Sequence, residues 1–283
     1  MLLTIITINL NNAKGLEATI ASVAAQKDVQ FEYLVMDGGS TDQSVHLLHK
    51  YQKYISTFIS EKDNGIYHAM NKGIKLANGK YLLFLNSGDT LNGNHIISDL
   101  IKYLQAYPEK DIYYANVLFV DEIQKKAYTY EYPRELNLAY FLHSGLCHQS
   151  TVIRKQLFDE IGFYDENYRL VSDWSFFLKA IKKSYSFQHI NQLILSNYLL
   201  NGLSTDYLFC KNERLQIIKS QHAEHLDHYL YINKPLGLSA RARLKLQKLI
   251  KNFNRKSKSI KTALFSRYQE QRKLDIKYLF TNV

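Results

Sequence analysis

The sequence predicts an α/β protein built on a doubly wound, mostly parallel sheet with helices on both faces, followed by a basic helical extension. Three observations lead there. Short apolar runs rich in β-branched residues alternate with amphipathic stretches as far as residue 120. Polar turns close four of those runs, three of them containing glycine. The positive charge is concentrated at one end: of 36 Lys/Arg and 26 Asp/Glu, 14 basic but only two acidic residues lie in 234–283.

The elements follow in order. Residues 2–8, LLTIITI, are continuous and β-branched, the signature of a buried strand. A helix over 14–26 places Leu16, Ile20, Val23 and Ala24 on one face. The second strand is 32–37, and the second helix 40–54, capped by Ser40 or Thr41 with Val45, Leu48 and Tyr51 inward. Residues 55–60 form a short third strand. The helix of GIYHAMNKGIKLANG carries Ile66, Met70 and Ile74 on one stripe and stops at Gly79. The fourth strand, KYLLFLN, ends at Asn86-Ser87-Gly88-Asp89. Beyond it the pattern loosens. Residues 111–121 and 126–132 read as longer strands, possible partners in a hairpin, 149–154 as another, 172–183 as a helix, and 185–198 as one or two strands.

Composition narrows the class. At 283 residues, 46% hydrophobic and 22% charged, the chain is globular and long enough for one large domain with an appendage. Two cysteines without C-x-x-C spacing make a disulfide framework or cysteine zinc site unexpected and favour a reducing compartment. The opening MLLTIITINLNN lacks a basic stretch, and no apolar run approaches a membrane span, so a soluble or peripheral, cytoplasmic protein is expected.

The strand ends hold Asn9; Asp37-Gly38-Gly39-Ser40-Thr41-Asp42; Asp63-Asn64-Gly65; and Ser87-Gly88-Asp89. Any one of these is ordinary turn chemistry. Four along one edge of a parallel sheet, three with an aspartate, are better explained by a ligand site, since open α/β sheets bind ligands at the carboxyl ends of their strands. There is no G-x-x-x-x-G-K-[ST], and DGGSTD after the second strand is not a dinucleotide fingerprint. A sugar nucleotide fits better.

Four blocks carry a resemblance: TIITINLNNAKGLEATIASVAAQ, EYLVMDGGSTDQS, SEKDNGIYHAMNKGIKLANGKYLLFLNSGD and SDWSFFLKA. Together they resemble family 2 glycosyltransferases of the GT-A fold, more narrowly bacterial enzymes of capsule, O-antigen or colanic acid synthesis. The resemblance covers residues 1–205, expected to be the catalytic domain, with nucleotide-sugar binding mainly in 1–120 and the acceptor side mainly in 121–205. Residues 206–283 are expected to be a helical extension, basic from 234. The resemblance implies inverting transfer of one sugar from a nucleotide-diphosphate donor, most often a UDP-sugar, with a divalent cation, Mn²⁺ or Mg²⁺.

It also implies roles position by position. Thr7 and Asn9 line the nucleotide pocket, and Asp37 accepts from the base. Ser40 and Asp42 hold their loop. Asp63 touches ribose or base beside Glu61. Asn71 and Lys72 lie on the helix face next to the nucleotide, Lys72 either meeting phosphate or standing in solvent. Ser87 and Gly88 belong to the donor loop. Asp89 replaces the family's D-x-D as a single metal carboxylate whose remaining ligands are diphosphate oxygens and water. Asp173, at the start of a helix with Ser172 as its N-cap, is the catalytic base. His148 and Trp174 fall on the acceptor side, with a structural role open for each. Gly202 and Ser204 fold over the diphosphate.

In the tail, Leu238, Ala242, Leu246, Leu249, Ile250 and Phe253 recur at helical spacing among Lys and Arg, so 238–277 is expected at an anionic membrane surface or packed on the body; nucleic acid ranks last. The expected acceptor is a lipid-linked saccharide, undecaprenyl-diphosphate-linked, at the inner face of the cytoplasmic membrane. The rival readings are a sugar nucleotidyltransferase, which would want a Gly-rich basic loop after the first strand, and a non-catalytic sugar- or partner-binding module.

Overall fold

The computed structural model describes residues 1–200 and 206–233. Strand β1 (Leu3–Asn9) is buried along its whole length and pairs in parallel with β2 (Glu32–Asp37) on one side and β4 (Tyr81–Phe84) on the other. β3 (Thr57–Ser60) adds in parallel to β2. These continuous apolar strands are covered by helices α1 (Ala13–Ala24), α2 (Ser44–Lys50) and α3 (Ile66–Leu76), whose apolar stripes face the sheet.

The second half mixes strand directions. After β5 (Thr90–Leu91) and α4 (Ile96–Ala106) come β6 (Ile112–Asp121) and its partner β7 (Lys126–Tyr130). Helix α5 (Leu138–His143) leads to β8 (Thr151–Arg154), which lies antiparallel between β4 and β6. Helices α6 (Leu157–Ile161) and α7 (Ser172–Lys182) precede β9 (Phe187–Leu199), parallel to β6 and antiparallel to β5. Among the described residues the sheet has nine strands in the order β3-β2-β1-β4-β8-β6-β9-β5, with β7 beside β6.

The single run of β9 settles the choice between one strand and two. Its register against β6 shifts at Asn116, whose side chain accepts from Tyr132 N and His189 Nε2 and donates to Asn191 O. The irregularity is therefore satisfied by one amide rather than ending the strand. The second helix is shorter than 40–54: the chain turns at Asp42, whose carboxylate accepts from Ser44 N, and closes with a 3₁₀ turn at Gln52–Tyr54. Helix α4 has no counterpart in the sequence reading, although Ile97, Leu100 and Leu104 bury one stripe.

The chain divides into two compact units. One is Met1–Val120 with Ala127–Leu199, holding the sheet and its core; the other comprises Asp121–Lys126 and the chain from Leu200 on. In the latter, α8 (Tyr207–Gln221) and α9 (Leu226–Ile232) are joined where Lys211 Nζ donates to Asn233 O. Among the described residues no helix is long and apolar enough to cross a membrane. The expectations for Gly202, Ser204 and the tail 238–277 lie outside the described residues.

Candidate active site

The parallel strands β1, β2, β3 and β4 end along one edge, so their closing turns meet there. Asn9 and Asp37 are register partners at the last pair of β1 and β2. Asp37 is buried, and its carboxylate accepts from Asn9 Nδ2 (2.7 Å), Ser40 N (2.9 Å), Ser40 Oγ (2.6 Å) and Ser60 Oγ (2.6 Å). Burial pushes its pKa up, but these donors outweigh it and hold the carboxyl below its ordinary value. Four donors fill the acceptor positions of a carboxylate. Asp37 therefore organises the pocket wall instead of offering a free acceptor to a base.

That pocket is lined by Met36, Asp37, Ile59, Glu61, Asp63, Ala69 and Lys72. Asp63 is its available acid. Oδ1 closes a turn by accepting from Gly65 N, while Oδ2 lies against Gly38, where a Cβ would stand 2.5 Å away. Lys72 donates to Glu61 at 2.7 Å, which gives its ammonium a carboxylate partner in place of phosphate. Thr7 is wholly buried, its hydroxyl donating to Leu85 O and touching Tyr33 Oη, so its side chain ties strands together and does not line the pocket. Asn71 also turns away. Its amide donates to Tyr164 O and Glu166 Oε1 and accepts from Tyr164 N, clasping α3 to the segment before α7.

Helix α1 shapes the loop after β4. Thr19 Oγ1 donates to Asp89 O at 2.7 Å and accepts from Gly88 N at 2.9 Å, and Asn12 Nδ2 donates to Ser87 O at 3.0 Å. Gly88 turns at φ 108°, a left-handed backbone that glycine adopts freely. Asp89 ends up buried, and among the described residues its carboxylate has only long contacts, from Leu199 N (3.3 Å) and Gln149 Nε2 (3.4 Å). Burial pushes its carboxyl up to about 7. A poorly satisfied buried carboxylate suits a hard divalent cation, which would neutralise its charge. Among the described residues no cluster of three or more His, Cys, Asp or Glu side chains is placed to hold a metal. The remaining ligands would come from donor phosphates and water.

The hydrogen-bonded cluster around Asp173 joins three distant parts of the chain. Asp173 lies in the first turn of α7. Its Oδ1 accepts from Tyr67 Oη (2.9 Å) and Trp174 N (2.8 Å), and its Oδ2 from His148 Nδ1 (3.0 Å). Three of the four acceptor positions are filled, leaving one on Oδ2. Burial pushes the pKa of Asp173 up, yet the His148 contact, the Trp174 N–H and the Tyr67 hydroxyl outweigh it and keep the group ionised below its ordinary range. Tyr67, which sequence reasoning passed over, is raised well above a free tyrosine by burial and the Asp173 charge, so it stays a donor. Its signal was its place inside the DNGIYHAMN block.

Three expectations change here. Both ring nitrogens of His148 are engaged, Nδ1 by Asp173 and Nε2 by Asn86 Nδ2 at 2.9 Å, so neither is left for an acceptor. Trp174 is core: it is 2% exposed and its indole N–H donates to Phe141 O and Ser144 O. Ser172 is the first helical residue instead of the cap, and Val171 precedes it.

Fold and site together define a glycosyltransferase of the GT-A type. The chain belongs to glycosyl transferase family 2, whose family model matches residues 4–162. Among curated proteins it is similar to a PGL/p-HBAD biosynthesis glycosyltransferase of Mycobacterium bovis, 27% identical over 198 residues, covering 69% of this chain and 75% of the relative. An uncharacterized glycosyltransferase of Mycobacterium tuberculosis is 30% identical over 184 residues, covering 62% and 68%. Among solved structures, S. aureus TarS superposes with TM-score 0.60 at 18% identity, covering 82% of this chain and 70% of that one. The mannosyltransferase PcManGT of Pyrobaculum calidifontis, solved with GDP-Man and Mn²⁺, gives 0.58 at 14%, covering 93% and 84%.

Proposed function

We propose that this transferase moves one sugar, with inversion, from a nucleotide-diphosphate donor to a saccharide acceptor during synthesis of a bacterial surface polysaccharide. The observation that supports it best is Asp173: a partly buried, ionised carboxylate with, among the described residues, a single open acceptor position, linked through His148 and Asn86 to the loop that bears Asp89. In the displacement, the acceptor oxygen forms a bond to the anomeric carbon and the bond from that carbon to the diphosphate oxygen breaks. The electron pair leaves with the diphosphate, and the acceptor's proton passes to Asp173 Oδ2. A low proton affinity in the resting enzyme suits this role, because the hydroxyl becomes acidic only as it bonds to the electron-poor carbon. Asp89 would hold a divalent cation, which when bound supplies charge neutralisation for the departing diphosphate.

UDP is the first donor nucleotide to test, since S. aureus TarS has been solved with UDP and UDP-GlcNAc. The GDP-Man complex of the mannosyltransferase keeps GDP in the comparison. A lipid-linked acceptor reached from the inner membrane face, with the basic tail on anionic lipid, completes the proposal. The test is calorimetric titration of UDP, GDP and dTDP, with and without Mn²⁺, into wild type and Asp89→Ala. Metal-dependent binding of one nucleotide, lost in the variant, is expected; no binding of any nucleotide in saturating metal overturns the reading in favour of a non-catalytic module.

A further inference from the structure

His148 stands immediately before β8, in the segment Cys147–Ser150 that the antiparallel course of this strand brings beside the carboxyl end of β4. Its ring bridges two parts of the site. On one side Nδ1 meets Asp173 Oδ2 at 3.0 Å, and on the other Nε2 meets Asn86 Nδ2 at 2.9 Å, at the start of the donor-side loop. The ring is little exposed, its side chain 17% accessible against 16% for Asp173.

The hydrogen-bond logic fixes the proton. With the Asn86 amide nitrogen facing Nε2, that atom must accept, so the ring hydrogen is on Nδ1 and is donated to Asp173. Turning the amide over, so that its buried and unpartnered Oδ1 faces Nε2, calls for hydrogen on Nε2. An ionised Asp173 still requires hydrogen on Nδ1, since a bare ring lone pair there would face a carboxylate. Both orientations therefore put a donor on Oδ2.

We infer that His148 is a positioning residue: it takes one acceptor position of Asp173 Oδ2, aims the other at the incoming hydroxyl, and makes the alignment of the base depend on the seating of the Asn86 loop that flanks the leaving group. This rests on the assignment of Asp173 as base. Tyr67 and the Trp174 N–H fix only Oδ1, so without His148 the carboxylate keeps one anchored oxygen and one free to swing about it. A misplacement of about 1 Å costs on the order of 100-fold in rate.

The side-chain amides of Asn and Gln separate the two ring contacts, because Asn places its nitrogen near the position of Nδ1 and Gln near that of Nε2. The measurement is release of UDP from UDP-glucose, UDP-galactose or UDP-N-acetylglucosamine with water as acceptor, using whichever wild type turns over fastest. His148→Ala and His148→Gln are expected to lose about 100-fold in kcat, with donor KM within about twofold, and His148→Asn to recover at least about tenfold of that loss. Asparagine no better than alanine or glutamine, or all three within about threefold of wild type, overturns the inference. Asp173→Asn runs alongside: if it keeps full turnover, the base assignment fails, and if it is inactive while the His148 variants are active, only the positioning role fails.

A second readout needs no turnover. Nitrogen-15 spectra of labelled histidine in the intact chain, with His148→Asn identifying the signal, are expected to show a ring protonated at Nδ1, the minor form of free neutral imidazole. That pattern should disappear in Asp173→Ala. A His148 ring carrying hydrogen on Nε2 alone in wild type would sink the proposal whatever the kinetics show.

Discussion

Tyr67→Phe isolates one bond at the base. The change removes a single oxygen from a buried ring, and with it the 2.9 Å bond to Asp173 Oδ1, while Trp174 N and His148 Nδ1 remain. A hydrogen bond to a charged group contributes about 1.5–3 kcal/mol, and one pKa unit is about 1.4 kcal/mol. The Asp173 carboxyl should therefore rise by about one to two units. The sign follows from the form that is favoured. The tyrosine donor stabilises the ionised group, so its loss lets Asp173 bind a proton at higher pH, and the acidic limb of kcat/KM for UDP-sugar turnover should move up by that amount. The same linkage acts on folding. A depressed carboxyl contributes stability that is present above its unfolded pKa and lost as pH falls through the folded one. Urea unfolding should accordingly find the variant less stable than wild type at pH 7, with the gap closing as pH falls through the folded pKa of the wild-type carboxyl. An acidic limb that stays put or moves down, or a stability gap independent of pH, would refute the assignment of Tyr67 as a donor to an ionised base.

Two further outcomes test the proposed donor half and the sheet. Gly38→Ala places a methyl group 2.5 Å from Asp63 Oδ2, so this side-chain end must shift out of the proposed nucleotide pocket; losing one hydrogen bond from a charged group, about 1.5–3 kcal/mol, predicts at least about tenfold weaker nucleotide binding by calorimetry, with the melting temperature little changed. Glu32 accepts from Thr4 Oγ1, Asn78 N and Asn78 Nδ2, donors that outweigh burial and hold it below its ordinary range. Glu32→Gln should cost roughly 1.5–3 kcal/mol at pH 7 by urea unfolding, and less as pH falls through the folded pKa of the wild-type group.

The turn after β2 was legible in the sequence because its residues are local. Asp37, Ser40 and Asp42 act within one turn, and a polar turn after an apolar strand announces itself. Strand β2 matched its expected bounds because the apolar run YLVM is bracketed by Glu32 and Asp37. What could not be read was which capacity each side chain had already spent. DGGSTD does not reveal that Ser60, a whole strand and helix away, takes one of Asp37's acceptor positions. Nor does it show that Thr7 and Asn71 point into packing and Asp63 into the pocket. The cluster around Asp173 was harder still: Tyr67 meets Asp173 across 106 positions, a contact that only the sheet order creates. Helix α4 was missed for a different reason. Its stripe Ile97, Leu100 and Leu104 is regular, but it follows Asn92-Gly93-Asn94, and turn residues on both sides hid a helix of ordinary length.

The single antiparallel strand in the middle of the sheet also decides where the molecule can change. Turns that follow β1, β2 and β3 are strung between a strand and a helix that must return to the sheet, so lengthening any of them disturbs a crossover. The stretch ahead of β8 is under no such constraint. It enters the same edge from the opposite direction, out of the short helix α5, and residues added between His143 and Cys147 would leave every strand register as it is. The edge beside His148 can thus change shape by insertion, while the turns after β1, β2 and β3 are confined to exchanging one side chain for another.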